Sequence, residues 1–174
     1  MKLIFLHGPP ASGKYTIARV LHASYGVLNF HNHLTIDVAK ALFDFGTDQF
    51  WDLTHRLRRT ALAARAEEGE ANVVFTNCYS SPQDDSTVEA LEEEVTSRGG
   101  HFLPVFLECS LEELRRRVTD PSREEMRKLR SVQGLDEFMD KWNIVALDRP
   151  NTMVVTTDGR SAAECAEEIA ERVL

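Results

Sequence analysis

The sequence predicts an α/β fold, one parallel sheet between two layers of helices, on three observations. Short runs rich in β-branched and aromatic residues alternate with helical stretches from end to end, the pattern of strands joined by helical crossovers. Those runs are almost continuously apolar, as strands covered on both faces are. No repeat, low-complexity tract or Gly/Ser/Pro-rich linker divides the 174 residues, and 43% apolar content suits a single core, so one domain spans the chain.

The first strand is expected over Lys2 to Leu6 (KLIFL) and the second over Val27 to His31 (VLNFH). Two helical stretches, about Leu34 to Phe45 and Asp48 to Glu68, follow without an intervening strand, so this crossover is large enough to wall a substrate cleft. The third strand is Asn72 to Asn77 (NVVFTN). The fourth, Phe102 to Glu108 (FLPVFLE), is made irregular by Pro104, which has no amide hydrogen to give. The fifth is Thr152 to Thr156 (TMVVT). Ser86, Ser110 and Ser161 each stand three residues before a glutamate (Glu89, Glu113, Glu164), the spacing at which the pair satisfies backbone N–H groups at a helix start. The last of these opens an Ala-rich helix running to Leu174.

Composition excludes several functions. A net charge of −8 opposes a nucleic acid partner. No apolar run approaches a membrane span, and the four apolar residues after Met1-Lys2 are too few for a signal-peptide core, so a cytoplasmic protein is expected. Cys78, Cys109 and Cys165 form no CxxC pair, which argues against a disulfide framework or a zinc site and reads each as a small buried hydrophobe. Six arginines and Lys128 crowd the segment from Arg115 to Arg130 in this acidic chain. It is either a solvated helical face partly balanced by Glu124 and Glu125, or a lid over about 115 to 135 whose guanidinium groups close on phosphates.

The most specific feature follows the first strand: Gly8-Pro9-Pro10-Ala11-Ser12-Gly13-Lys14-Tyr15-Thr16, which fits GxxxxGK. Glycines let successive backbone N–H groups face one concavity, the next helix brings its positive dipole end there, and Lys14 adds a full charge, a nest suited to a triphosphate. With this loop, a second strand shortly after it, an Arg-rich segment after the fourth strand and a closing strand and helix, the chain resembles the P-loop small-molecule and nucleotide kinases. Shikimate kinase, gluconate kinase, adenylate kinase and chloramphenicol phosphotransferase typify that group. The resemblance implies a three-layer α/β/α fold with a five-stranded parallel sheet ordered 2-3-1-4-5, ATP on the loop, a mobile lid and Mg2+ as helper. It implies that Gly8, Pro9, Ala11, Ser12, Gly13, Lys14, Tyr15 and Thr16 cradle the nucleotide, with Lys14 bridging the β- and γ-phosphates. By the same resemblance Arg117 stacks on adenine, Arg123 and Arg127 meet the phosphates with Arg123 the catalytic candidate, and Thr157-Asp158-Gly159-Arg160 is similar to the adenine-edge loop, although a Gly turn before a capped helix explains it equally well.

The chain departs from that pattern where the chemistry is done. The hydroxyl that normally follows the loop lysine and ligates magnesium is replaced by Tyr15. Thr16, about 100° further round the helix, either reaches the metal or leaves it to phosphates and water. The end of the second strand, where shikimate-kinase-like members carry Asp-x-Asp, holds His31 and His33. A neutral imidazole accepts a hydroxyl proton near neutral pH, so His33 is the expected base, with Asp37 as alternative base or orienting partner and His31 on the substrate side. A zinc site at His31, His33 and Asp37 lacks evident further ligands, and two histidines simply packed at a strand end are the remaining alternative. The third strand ends Thr76-Asn77 without an acid, and no Asn-Lys-x-Asp guanine reader occurs. Arg56, Arg58 and Arg59 follow Trp51 on one helix; either they are surface charge offset by Asp52 and Glu67-Glu68, or one of them, with Arg58 four residues after Thr54 the candidate, grips an acceptor anion. Phe43, Phe45, Phe50 and Trp51 line an apolar acceptor pocket or belong to the core.

The reading is an ATP- and Mg2+-dependent phosphotransferase acting on a small-molecule acceptor, with no nucleic acid or membrane partner and an oligomeric state the residues leave open. The alternatives are a nucleoside monophosphate kinase, which needs two or more arginines around the acceptor phosphate, and a catalytically weak ATP-binding protein.

Overall fold

A computed structural model describes residues 1–121 and 129–174. Five parallel strands, β1 (Lys2–His7), β2 (Leu28–His31), β3 (Asn72–Asn77), β4 (His101–Glu108) and β5 (Met153–Thr156), form a sheet in the order β2-β3-β1-β4-β5. This is the three-layer α/β architecture and the strand order expected. The central β1 pairs with β3 on one side and β4 on the other, so that His7 stands opposite Asn77 and Phe106 at the carboxyl edge of the sheet. Alternation along β1 divides the core. Ile4 and Leu6 join Leu21 of α1 (Lys14–Tyr25) and Ile169 of α7 (Ala162–Val173) on one face. Leu3 and Phe5 join Leu62 of α3 (Asp48–Glu67) and Leu91 of α4 (Asp85–Thr96) on the other. A small third cluster, Ala11 with Leu114, Val118 and Leu135, ties the loop after β1 to α5 (Leu111–Val118) and α6 (Val132–Lys141). Among the described residues no helix is long and apolar enough to cross a membrane.

Two helix boundaries and one capping box differ from expectation for local reasons. The helix α2 runs His33–Lys40, not to Phe45, because Gly46 takes φ +91° and Thr47 caps α3 by accepting the Phe50 amide, so the chain must leave the helix to turn. Helix α4 starts at Asp85 rather than at Ser86: Asp84 accepts the Ser80 amide at 2.8 Å and Asp85 accepts the Tyr79 hydroxyl at 2.6 Å, fixing the helix start before Ser86 is reached. At α5 Ser110 accepts the Glu113 amide, but the Glu113 carboxylate turns to Arg116 and Arg117, so the reciprocal half of the box forms only at Ser161 and Glu164. Pro104 is accommodated in β4 because β5 pairs only from Val105 onward.

Candidate active site

The loop between β1 and α1 has the backbone a phosphate nest needs. Gly13, the residue before α1, takes φ +96°, and Ala11 is the one non-glycine residue at positive φ among those described. Gly8 takes φ +147° so close to β4 that an added Cβ would lie 2.7 Å from the Leu107 carbonyl oxygen and 3.2 Å from Ser12 Oγ. A Gly8→Ala chain is therefore expected to lose about 1–3 kcal/mol of stability through backbone strain and overpacking, a loss read by urea denaturation. Lys14 arches back over the loop, its Nζ donating to the carbonyls of Gly8 at 2.8 Å and Pro9 at 2.6 Å. The ammonium is thus held over the concavity of the nest.

On one side of the loop lies a cavity of about 490 Å³ lined by Gly13, Thr16, Arg117, Thr157, Gly159 and Arg160. Arg117, expected against a base, is anchored by its edges: Nε donates to Glu113 at 2.7 Å, Nη1 to Thr157 Oγ1 at 3.1 Å and Nη2 to the Thr157 carbonyl at 2.6 Å. Arg116, then Arg117, holds the Glu113 carboxyl down to about 2, so this wall carries a fixed negative group between two guanidinium ions. Asp158 lies between Thr157 and Gly159, both of which line this cavity. It accepts the Ser110 amide at 3.0 Å and fastens the loop after β5 to the start of α5. Arg123 and Arg127 lie outside the described residues.

On the other side, at the ends of β2 and β3, the Tyr15 ring stands edge-on to His31 with centroids 5.0 Å apart, and His31 is 6.1 Å from His33, the first residue of α2. The two histidines do share one end of the sheet. Asp37, one turn along α2, is exposed. Thr76 is buried at the end of β3, its hydroxyl facing the Asn32 amide at 3.4 Å.

The three arginines of α3 separate. Arg56 lies on the surface with Asp52, and Arg59 reaches Glu94 of α4 at 2.7 Å. Arg58 is 3% exposed, donates from Nε to Thr35 Oγ1 at 3.2 Å and lies with its guanidinium carbon 5.3 Å from the Phe75 ring centroid. Among the described residues no hydrogen-bond acceptor meets its two Nη groups. Burial pushes its ionisation down to about 10, so it stays charged at neutral pH, with Asp84 acting in the opposite sense. Phe50 belongs to the core, whereas Phe45 packs on it from an exposed position.

Three further residues bear on the site and escaped the sequence reading. His7, directly before the loop, is fully buried among Phe5, Tyr79 and Phe106, with neither ring nitrogen hydrogen-bonded. Burial, then the Lys14 charge, pushes it down to about 3, so it is a neutral ring under the lysine. A polar residue closing the otherwise apolar KLIFL run was the signal. His55 on α3 is lowered by burial and then by Arg58, with Asp84 acting in the opposite sense but more weakly; the Asp84-Asp85 pair after Ser80-Ser81 is the visible trace of that loop.

With this geometry in view, comparison with known proteins defines a class. No family model and no curated protein sequence matches the chain. Solved structures do. The tunicamycin resistance protein of Deinococcus radiodurans is similar over 99% of this chain and 95% of its own, at 18% identity and TM-score 0.66. A gluconokinase from Sinorhizobium meliloti matches over 99% and 91% at 16% identity and TM-score 0.65. The Mycobacterium tuberculosis APS kinase, solved in complex with AMPPNP and APS, matches over 98% and 95% at 18% identity and TM-score 0.63. The chain therefore has the fold of the P-loop small-molecule kinases along its whole length.

Proposed function

We propose that this chain is an ATP-dependent phosphotransferase that moves the γ-phosphoryl group to a small-molecule acceptor. The observation that carries the reading is the position of Lys14. It sits in a nest of positive-φ backbone at the carboxyl edge of the central strand, between a 490 Å³ cavity on one side and the His31, His33 and Arg58 end of the sheet on the other. The cavity takes the nucleoside, with Thr16 and Arg117 on its wall, and Lys14 stabilises charge on the transferred group together with Arg123 and Arg127. Similarity of fold to a kinase solved with AMPPNP and APS supports the same division into nucleotide and acceptor sides.

On the acceptor side His33 receives the hydroxyl proton, with His31 beside it, and Arg58 binds an acceptor anion through its two Nη groups. The exposure of Asp37 favours His33 over Asp37 as base. Because Arg56 and Arg59 are directed to surface carboxylates, Arg58 alone of the three is held inside, which favours a singly anionic acceptor over a nucleoside monophosphate. The test is ATP consumption against a panel of hydroxylated carboxylates, sugars and nucleoside monophosphates. Acceptor-dependent turnover is expected with a hydroxylated carboxylate, and His33→Ala is expected to lower kcat by about 10²–10⁴-fold with acceptor KM little changed. Equal turnover in wild type and His33→Ala would remove the base from this assignment.

A further inference from the structure

We infer that the described residues offer no protein ligand to a divalent ion on the nucleotide, so that ATP affinity is almost independent of magnesium. The inference rests on the nucleotide reading above and concerns how its charge is met. Magnesium takes oxygen donors in a strict octahedron and parts with its waters reluctantly. The residues present do not fit that demand. The residue after Lys14 is Tyr15, and its ring is committed edge-on to His31 at 5.0 Å. Thr16, a residue further on, lines the cavity shared with Arg117, Thr157 and Gly159. Ser12 Oγ is enclosed beneath the loop next to Gly8. At the end of β3 stand Thr76 and Asn77, so no carboxylate holds a metal-bound water there. Among the described residues no three His, Cys, Asp or Glu side chains come together, and the imidazoles of His31 and His33 are nitrogen donors that suit softer ions.

The positive charge a triphosphate requires is instead built into the chain. Lys14 is already held over the nest by the Gly8 and Pro9 carbonyls, and the amino end of α1 and the loop amides add to it. Any ion that accompanies ATP is held by its phosphates and water.

Calorimetric titration of ATP into the full chain, in excess magnesium and again in EDTA, tests this without any need for an acceptor. The expected ratio of the two dissociation constants is below about fivefold in wild type, and Thr16→Val leaves that ratio unchanged even if both affinities fall. Lys14→Ala weakens binding in both buffers. A wild-type ratio of about fivefold or more in favour of magnesium, or a ratio that collapses in Thr16→Val, overturns the inference while leaving the nucleotide site intact. Binding in neither buffer, or binding that Lys14→Ala does not change, fails the nucleotide reading itself and takes the inference with it.

Discussion

Lys14→Ala is expected to abolish the protection that ATP gives this chain against heat while leaving the unliganded protein folded. Both halves follow from the geometry. In the free chain the half-buried Lys14 ammonium bonds the carbonyls of Gly8 and Pro9 within its own loop, so its loss breaks two contacts inside that loop and none between the strands of the sheet. The unliganded melting temperature should therefore move by no more than a few degrees, as a substitution worth about 1 kcal/mol does in a domain of this size. In the complex the same ammonium is the full charge nearest the β- and γ-phosphates, where loss of one such group costs about 3–4 kcal/mol. ATP at roughly one hundred times its dissociation constant stabilises a folded protein by about 2.7 kcal/mol, which raises Tm by about 5–10 °C here. Wild type should show that shift and Lys14→Ala almost none, read by differential scanning fluorimetry over an ATP series. Equal shifts in the two proteins would sink the phosphate-loop assignment, and with it the phosphotransferase reading.

The parts of this molecule that were legible in the sequence are those set by local pattern. Continuous apolar runs such as NVVFTN gave strand positions to within a residue or two, and GPPASGK gave the loop, because a parallel strand and a glycine-rich turn each depend on residues adjacent in the chain. The replacements at Tyr15, His31 and His33 were visible for the same reason, and the structure brings those three rings together at 5.0 and 6.1 Å. What a single stretch could not decide was which neighbour wins. Leu42, Phe43 and Phe45 look helical by composition, yet the chain turns through Gly46 there because Thr47 must cap the next helix. Ser86 and Glu89 have capping-box spacing, but the bonds that Tyr79 and Ser80, four to six residues back, make to Asp85 and Asp84 set the helix start. The apolar run stops at Leu6, whereas the strand continues through His7, whose buried ring completes the sheet.

Arg58 shows the same division. Read as three arginines in four residues, Arg56, Arg58 and Arg59 are equivalent. Read at helical spacing, Phe50, Thr54, Arg58, Leu62 and Ala66 form one i, i+4 stripe, and all five are the buried residues of α3. An arginine in that stripe must go inside with whatever the core offers it, and the core offers one threonine hydroxyl and the face of Phe75. A buried guanidinium that gains so little from its own chain is a poor stabilising element, since desolvating the ion costs several kcal/mol and a single hydrogen bond from a charged donor returns about 1.5–3 kcal/mol.

That imbalance makes Arg58→Met the most informative substitution on the acceptor side. Methionine keeps the unbranched stem against Phe75, removes the buried charge, and leaves Thr35 its own bond from Oγ1 to the Asn32 carbonyl at 3.0 Å. Folding stability by urea denaturation is expected to stay within about 1–2 kcal/mol of wild type and to rise rather than fall. Turnover should behave oppositely. With whichever acceptor supports ATP consumption, loss of a desolvated, two-pronged anion contact costs about 2–5 kcal/mol, so kcat/KM for the acceptor is expected to fall by about 30-fold to 5,000-fold, with most of the loss in KM, while the KM for ATP is unchanged. Arg58→Lys retains the charge and should recover only part of that loss, because a point charge cannot reproduce the planar fork. If Arg58→Met unfolds the chain while Arg58→Lys is both stable and fully active, the guanidinium serves the packing of α2 on α3 and the acceptor anion is bound elsewhere.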